Sequence, residues 1–209
     1  MSGAGLLVKI CGVTRAEDAE AAGRAGADAI GINFWPGSKR YVADEGLARE
    51  LAAAARAAGV ARVVGVCVNQ PLVEVLRFAQ AIPLDLLQLH GDEPEDYVVA
   101  LGARALPVVR LATEADLPRV SAAAGELVLV DAQVQGYGGQ GVRLPIGLGA
   151  RAAALRPVIL AGGLDEHTVA AVVRRCRPAG VDVASGVEAA PGIKDAARIG
   201  AFVAAARGA

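Results

Sequence analysis

Aromatic residues are scarce in this chain: three Phe, three Tyr and one Trp among 209 residues. A core of packed rings is therefore excluded, and Val, Leu, Ile and Ala must fill it. Cysteine is scarce too. Cys11, Cys67 and Cys176 lie far apart and form no CxxC pair. No disulfide framework is encoded, and a reducing, cytoplasmic setting is expected. Charge of one sign is also missing, with Lys+Arg 21 against Asp+Glu 22 and no block of like charges. Nothing in that balance would draw the chain to nucleic acid. No apolar run reaches the ~18 residues of a membrane span, so no membrane partner is expected. The opening stretch MSGAGLLVKICG is too short in apolar residues for a signal peptide.

Aliphatic residues are abundant instead. The apolar fraction is 54%, above the usual ~45–50%, which excludes disorder. At roughly 100–200 residues per domain, and with no linker in sight, residues 1–209 are expected to form one domain.

Eight apolar runs recur along the chain: Leu6–Cys11, Asp28–Phe34, Arg62–Val68, Leu84–His90, Ala105–Leu111, Leu127–Asp131, Pro157–Ala161 and Val181–Ser185. Several are almost continuously hydrophobic, as parallel strands covered on both faces are. Between them lie Ala-rich amphipathic stretches with helix signals. Thr14-Arg-Ala-Glu17 reads as a capping box for the first. Asp44–Ala58 is the second and longest, and Pro71–Ala81 follows Asn69 as a cap. Glu95–Leu101, Glu114–Ala124, Leu148–Leu155, His167–Arg175 and Asp195–Arg207 follow. Alternation of this kind leaves an open doubly wound sheet or a closed barrel. Eight strands are many for an open sheet of this length, and no GxGxxG follows the first run. The expected fold is α/β, a (β/α)8 barrel of eight parallel strands.

In such a barrel the chemistry sits at the C-terminal strand ends. Period-2 alternation puts Lys9 with Cys11, Gln88 with His90, and Leu129 with Asp131 on shared faces. If those faces point inward, a thiol, an ammonium, an amide, an imidazole and a carboxylate converge at one mouth. Each residue has a plainer alternative. A Cys at a strand end is usually just a small buried hydrophobe; a helix or turn cap is the alternative for Asp131, a turn cap for His90, and a structural cation paired with a carboxylate such as Asp182 for Lys9. Gly162-Gly163 and Ser185-Gly186 follow the last two runs, where barrels often bind phosphate through backbone N–H groups; ordinary tight turns use the same residues. Gln133–Pro145 is a glycine-rich lid or surface loop. Arg40 is either a bidentate carboxylate receptor or a solvated surface residue. Cys67, Cys176 and His167 are given no chemical role.

Several segments together resemble the phosphoribosylanthranilate isomerase family: Lys9-Ile-Cys-Gly-Val-Thr14, Gly26-Ala-Asp-Ala-Ile-Gly31, Ser38-Lys-Arg-Tyr41, Leu87-Gln-Leu-His-Gly-Asp-Glu93, Leu160-Ala-Gly-Gly-Leu164 and Val181-Asp-Val-Ala-Ser-Gly-Val-Glu188, then Pro191-Gly-Ile-Lys-Asp195. They run in order through almost the whole chain. The resemblance implies a (β/α)8 enzyme of tryptophan biosynthesis. It would convert N-(5-phosphoribosyl)anthranilate to 1-(2-carboxyphenylamino)-1-deoxyribulose 5-phosphate by an Amadori rearrangement. It implies Cys11 as general base, Asp131 as general acid and Arg40 on the anthranilate carboxylate. Lys9, Gln88, His90 and Asp182 become substrate contacts, and Gly162, Gly163, Ser185 and Gly186 the phosphate site. No cofactor or metal is implied, since the iminium formed on ring opening is its own electron sink. The partner is the phosphoribosyl substrate, and a homodimer is compatible, since the family holds both monomers and dimers.

Two positions depart from the family pattern. The loop after the sixth run usually reads close to GGTGKTFDW, whereas here it is Gly138-Gly-Gln-Gly-Val-Arg143. Val142 aligns with the family Lys, and Arg143 is the nearest cation to replace it. Lys39 stands where Pro commonly precedes the Arg. Two competing readings are a histidine-pathway isomerase and a barrel that binds phosphate without turnover. The first resembles a pair of aspartates, one at the place Cys11 holds. The second rests only on the altered loop. The few aromatics fall near the expected mouth, so at least one of Phe34, Trp35 and Tyr137 is expected beside the substrate ring.

Overall fold

A computed structural model describes residues 5–134, 136–137 and 141–209. Eight parallel strands close on themselves in sequence order: β1 (Leu7–Cys11), β2 (Ala29–Asn33), β3 (Arg62–Cys67), β4 (Leu86–Leu89), β5 (Ala105–Leu111), β6 (Val128–Ala132), β7 (Val158–Leu160) and β8 (Gly180–Val183). The barrel closes where β1 pairs with β8, in a register that sets Lys9 against Asp182. The helices between are α1 (Ala16–Arg24), α2 (Glu45–Ala57), α3 (Leu72–Ala81), α4 (Glu95–Leu101), α5 (Leu117–Ala122), α6 (Ile146–Leu155) and α7 (Val169–Cys176), and α8 (Ala196–Arg207) closes the ring. No described helix is long and apolar enough to cross a membrane.

The core has two layers, and the period-2 strands explain both. Outward-facing Val8, Ile10, Ile30, Ile32, Leu87, Val130 and Val181 pack against the helices. Inward-facing Ala29, Val64, Leu106, Leu129 and Ile159 fill the barrel's interior. The interior polar residues occupy the same faces nearer the C-terminal strand ends.

Two helix starts differ from expectation. Asp44 and Asp195 cap α2 and α8 as their positions suggest, but Thr14 opens no capping box. Its hydroxyl donates to the Gly192 carbonyl instead, and α1 starts at Ala16 with no side-chain cap. Asn69 likewise does not cap α3. Its backbone is left-handed, and its side chain bridges Asp92 N and the Tyr137 hydroxyl. One element was not anticipated. After β8, a short hairpin of β9 (Glu188–Ala190) and β10 (Ile193–Lys194) folds back antiparallel.

Candidate active site

A cavity of about 430 Å3 opens at the C-terminal strand ends. Cys11, Gln88, His90 and Asp131, four of the five side chains expected at one mouth, line it, as does Asp182. Lys9 lies beneath them, fully buried, and its Nζ donates to Asp182 Oδ1 at 2.8 Å. Gly31 on β2 makes room for this arrangement. A Cβ there would stand 2.7 Å from Cys11 Sγ and 3.2 Å from Lys9 Nζ.

Burial would strip Lys9 of its proton, but the Asp182 carboxylate more than reverses this and holds it charged. Burial also pushes the Cys11 thiol above its ordinary range, with Asp182 adding to the rise and Lys9 opposing it. Lys9 therefore favours the thiolate without winning. In the native protein at pH 7 all three thiols should be protonated, since burial raises Cys176 and pushes Cys67 to about 12. Alkylation of Cys11 by iodoacetamide should accelerate only above the ordinary thiol range of about 8.5. Mass-spectrometric rates against pH check this, and rapid labelling at pH 6 would contradict it.

On the next wall, Gln88 Nε2 donates to His90 Nδ1 at 2.7 Å. That places the imidazole proton on Nε2, 3.3 Å from Asp131 Oδ2 but not aligned for a hydrogen bond. Asp131 Oδ1 accepts from its neighbour Ala132 N at 2.8 Å. Gln88 Oε1 and His90 Nε2 are buried without a hydrogen-bond partner among the described residues. Buried polar atoms are rarely left so, except at sites of function.

Arg40 also lines the cavity and is buried; a solvated surface role is excluded. Its Nε and Nη2 donate to the two carboxylate oxygens of Glu188, at 2.6 and 2.7 Å. Gly12 permits this approach. Its φ is +72°, and a Cβ there would stand 2.3 Å from Arg40 Cδ. Any other residue would be strained and would displace the guanidinium.

Gly162, Gly163 and Ser185 also line the cavity. Gly186 is not among the lining residues; it packs on the Leu164 carbonyl. Val142 lines the cavity in the loop after β6, but Arg143 does not, and its guanidinium pairs with Asp165 at 2.9 Å. Arg143 thus turns away from the place of the cation it was expected to supply. Residues 135 and 138–140 of the glycine-rich loop lie outside the described residues.

Two of the three aromatics expected at the mouth are there. Trp35 and Tyr137 line the cavity and meet edge to face at 5.6 Å between centroids. Phe34 does not; it stacks on Phe78 of α3, outside the barrel wall. The alternation of β2 requires this, because inward Asn33 sends Phe34 outward. The Tyr137 hydroxyl donates to Asp92 Oδ2 at 2.8 Å and accepts from Asn69 Nδ2 at 2.7 Å. The Arg110 guanidinium lies 5.2 Å from its ring centroid and pairs with Asp92. The motifs alone did not single out Arg110, Asp92, Glu188 or Lys194. Asp92, Glu188 and Lys194 lie within those motifs but were given no role, and Arg110 is an inward position of β5.

The protein-family model described as N-(5'phosphoribosyl)anthranilate (PRA) isomerase matches residues 8–205. The N-(5'-phosphoribosyl)anthranilate isomerase of Myxococcus xanthus is 43% identical, over 96% of this chain and 95% of its own. The crystal structure of the Thermotoga maritima phosphoribosyl anthranilate isomerase has a TM-score of 0.89 at 35% identity, covering 98% of this chain and all of that one. A crystal structure of the same enzyme type holds reduced 1-(o-carboxyphenylamino)-1-deoxyribulose 5-phosphate; it has a TM-score of 0.82 at 33% identity, over 98% of this chain and 100% of that one.

Proposed function

This chain belongs to the N-(5'-phosphoribosyl)anthranilate isomerase family, and from that premise we propose which residues carry the reaction. The activity is the Amadori rearrangement of N-(5-phosphoribosyl)anthranilate in tryptophan biosynthesis. The observation that carries the assignment of roles is that Cys11, Asp131 and Arg40 share one cavity.

Asp131 acts as general acid. It gives its proton to the furanose ring oxygen as the C1–O bond breaks, and the anthranilate nitrogen supplies the electron pair that forms the C1=N iminium. The iminium acidifies C2–H. The ionised fraction of Cys11 takes that proton, and the C–H electron pair flows toward nitrogen to give the enolamine. A thiol raised by burial is the stronger base once ionised, and Lys9 stabilises the thiolate when it forms. Tautomerisation moves the C2 hydroxyl proton away and places a proton on C1, giving the ketone.

Arg40 receives the anthranilate carboxylate, and Trp35 and Tyr137 flank its ring. Gln88 and His90 meet the sugar hydroxyls, which supplies partners for their orphaned atoms. Lys9 and Asp182 support Cys11 from below. Backbone N–H groups at Gly162, Gly163 and Ser185 hold the phosphate, and Gly186, outside the cavity lining, does not reach it. The reading includes one working domain over residues 1–209 and a cytoplasmic location; it is compatible with monomer or homodimer, which sedimentation distinguishes. Purified protein mixed with enzymatically generated phosphoribosylanthranilate should consume it, seen as loss of substrate fluorescence. A folded sample without turnover would overturn the reading.

A further inference from the structure

Two buried charged residues stand outside the steps above. Glu188 and Lys194 come from the β9–β10 hairpin and are 7% and 3% exposed. Neither lines the cavity, yet both meet Arg40's partner atoms. Glu188 grips the Arg40 guanidinium through Nε and Nη2. Lys194 Nζ donates to Glu188 Oε1 at 2.9 Å and to the Ala184 carbonyl at 3.0 Å. Gly192 N adds a longer contact to the same carboxylate oxygen at 3.3 Å.

The hairpin is itself tied to the loop after β1. The Thr14 hydroxyl donates to the Gly192 carbonyl, and Lys194 N donates to Asp18 Oδ2 at 3.1 Å. Arg15 in turn holds both Asp18 oxygens, at 3.0 and 2.7 Å. The segment that follows Cys11 therefore fixes the hairpin, and the hairpin fixes Arg40.

The charges fit a single carboxylate. Two cations and one carboxylate leave one net positive charge, facing a substrate ring that carries one negative charge. The two-pronged pair with Glu188 fixes the plane of the guanidinium. Nη1 makes no hydrogen bond to the described residues, so it remains for a ligand. Glu188 alone would cancel the charge it orients, and Lys194 restores it. We infer that Glu188 and Lys194 are positioning residues that aim Arg40 and keep its site cationic, so that the enzyme selects aryl amines bearing a carboxylate. The inference rests on the reading of Arg40 as carboxylate receptor.

Removing Glu188 does not simply add attraction. Its carboxylate opposes the burial that already pulls the Lys194 ammonium down. Without it burial pulls the Lys194 ammonium down further, so the gain in positive charge is offset and the loss of aim decides the outcome.

The test compares two probes by calorimetry: the reduced product analogue, and the same compound with phenyl in place of 2-carboxyphenyl. Glu188→Gln and Lys194→Met should each weaken the carboxylated probe about tenfold or more, the scale of a lost hydrogen bond to a charged group. Affinity for the carboxylate-free probe should hold within about twofold, which also shows the site is folded. In turnover, KM should rise more than kcat falls. Should Glu188→Gln fail to fold, Lys194→Met reads the same preference. Equal weakening of both probes, or of neither, overturns the inference. Arg40→Ala separates the two claims. If wild type shows no preference for the carboxylated probe, or if Arg40→Ala keeps that preference, the Arg40 reading fails and takes the inference with it. If Arg40→Ala loses the preference while the hairpin variants keep it, the inference alone fails.

Discussion

Replacing Asp131 with Asn should lower kcat at least about a hundredfold, the lower range for a general acid. The substitution keeps shape and removes the proton that ring opening needs. Its amide can still meet Ala132 N through oxygen, as Asp131 Oδ1 does at 2.8 Å, so the strand end should stay folded. Cys11→Ala should cost as much, through the later step. Affinity for the reduced product analogue should change little in either variant, because the lost interactions belong to the transition states. Steady-state kinetics with calorimetry checks both points. Wild-type rates in both variants would show that the roles are misassigned.

The second large effect is on stability. Lys9→Met should destabilise the fold by about 3–5 kcal/mol, the usual cost of removing one partner from a buried ion pair. Lys9 is fully buried and Asp182 nearly so. Without the ammonium, the buried Asp182 carboxylate has no ion-pair partner among the described residues. At about 2–4 °C per kcal/mol for a chain of this size, Tm should fall by roughly 6–20 °C. Changing Asp182→Asn as well should recover part of the loss, because two neutral groups then face each other. Urea unfolding of the two single variants and the pair measures this. An unchanged midpoint for Lys9→Met would mean the pair contributes nothing to the fold.

Much of the barrel was legible because its signals are local. Near-continuous apolar runs mark β1 to β8, and alternation within them sends Lys9, Cys11, Gln88, His90 and Asp131 inward. The same rule places Phe34 outside and Arg110 inside, so those two were readable from β2 and β5. The β9–β10 hairpin was not. Its strands are three and two residues long, too short for any period. Its role depends on Glu188 meeting Arg40 across 148 residues. The Thr14 and Asn69 caps failed for a related reason: long-range partners, Gly192 and Tyr137, took the side chains that local patterning would spend on a helix start.

The two proposed roles act on different bonds, so trapping the intermediate separates them most directly. Cys11→Ala should still open the ring through Asp131 and then stall before C2–H is removed. Asp131→Asn should not open it. With borohydride present, hydride adds to the C1=N iminium and gives an open-chain phosphoribitylanthranilate. The account predicts that this product forms with Cys11→Ala, in an enzyme-dependent amount, and only at background level with Asp131→Asn. The reverse pattern, or equal trapping by both variants, would contradict it.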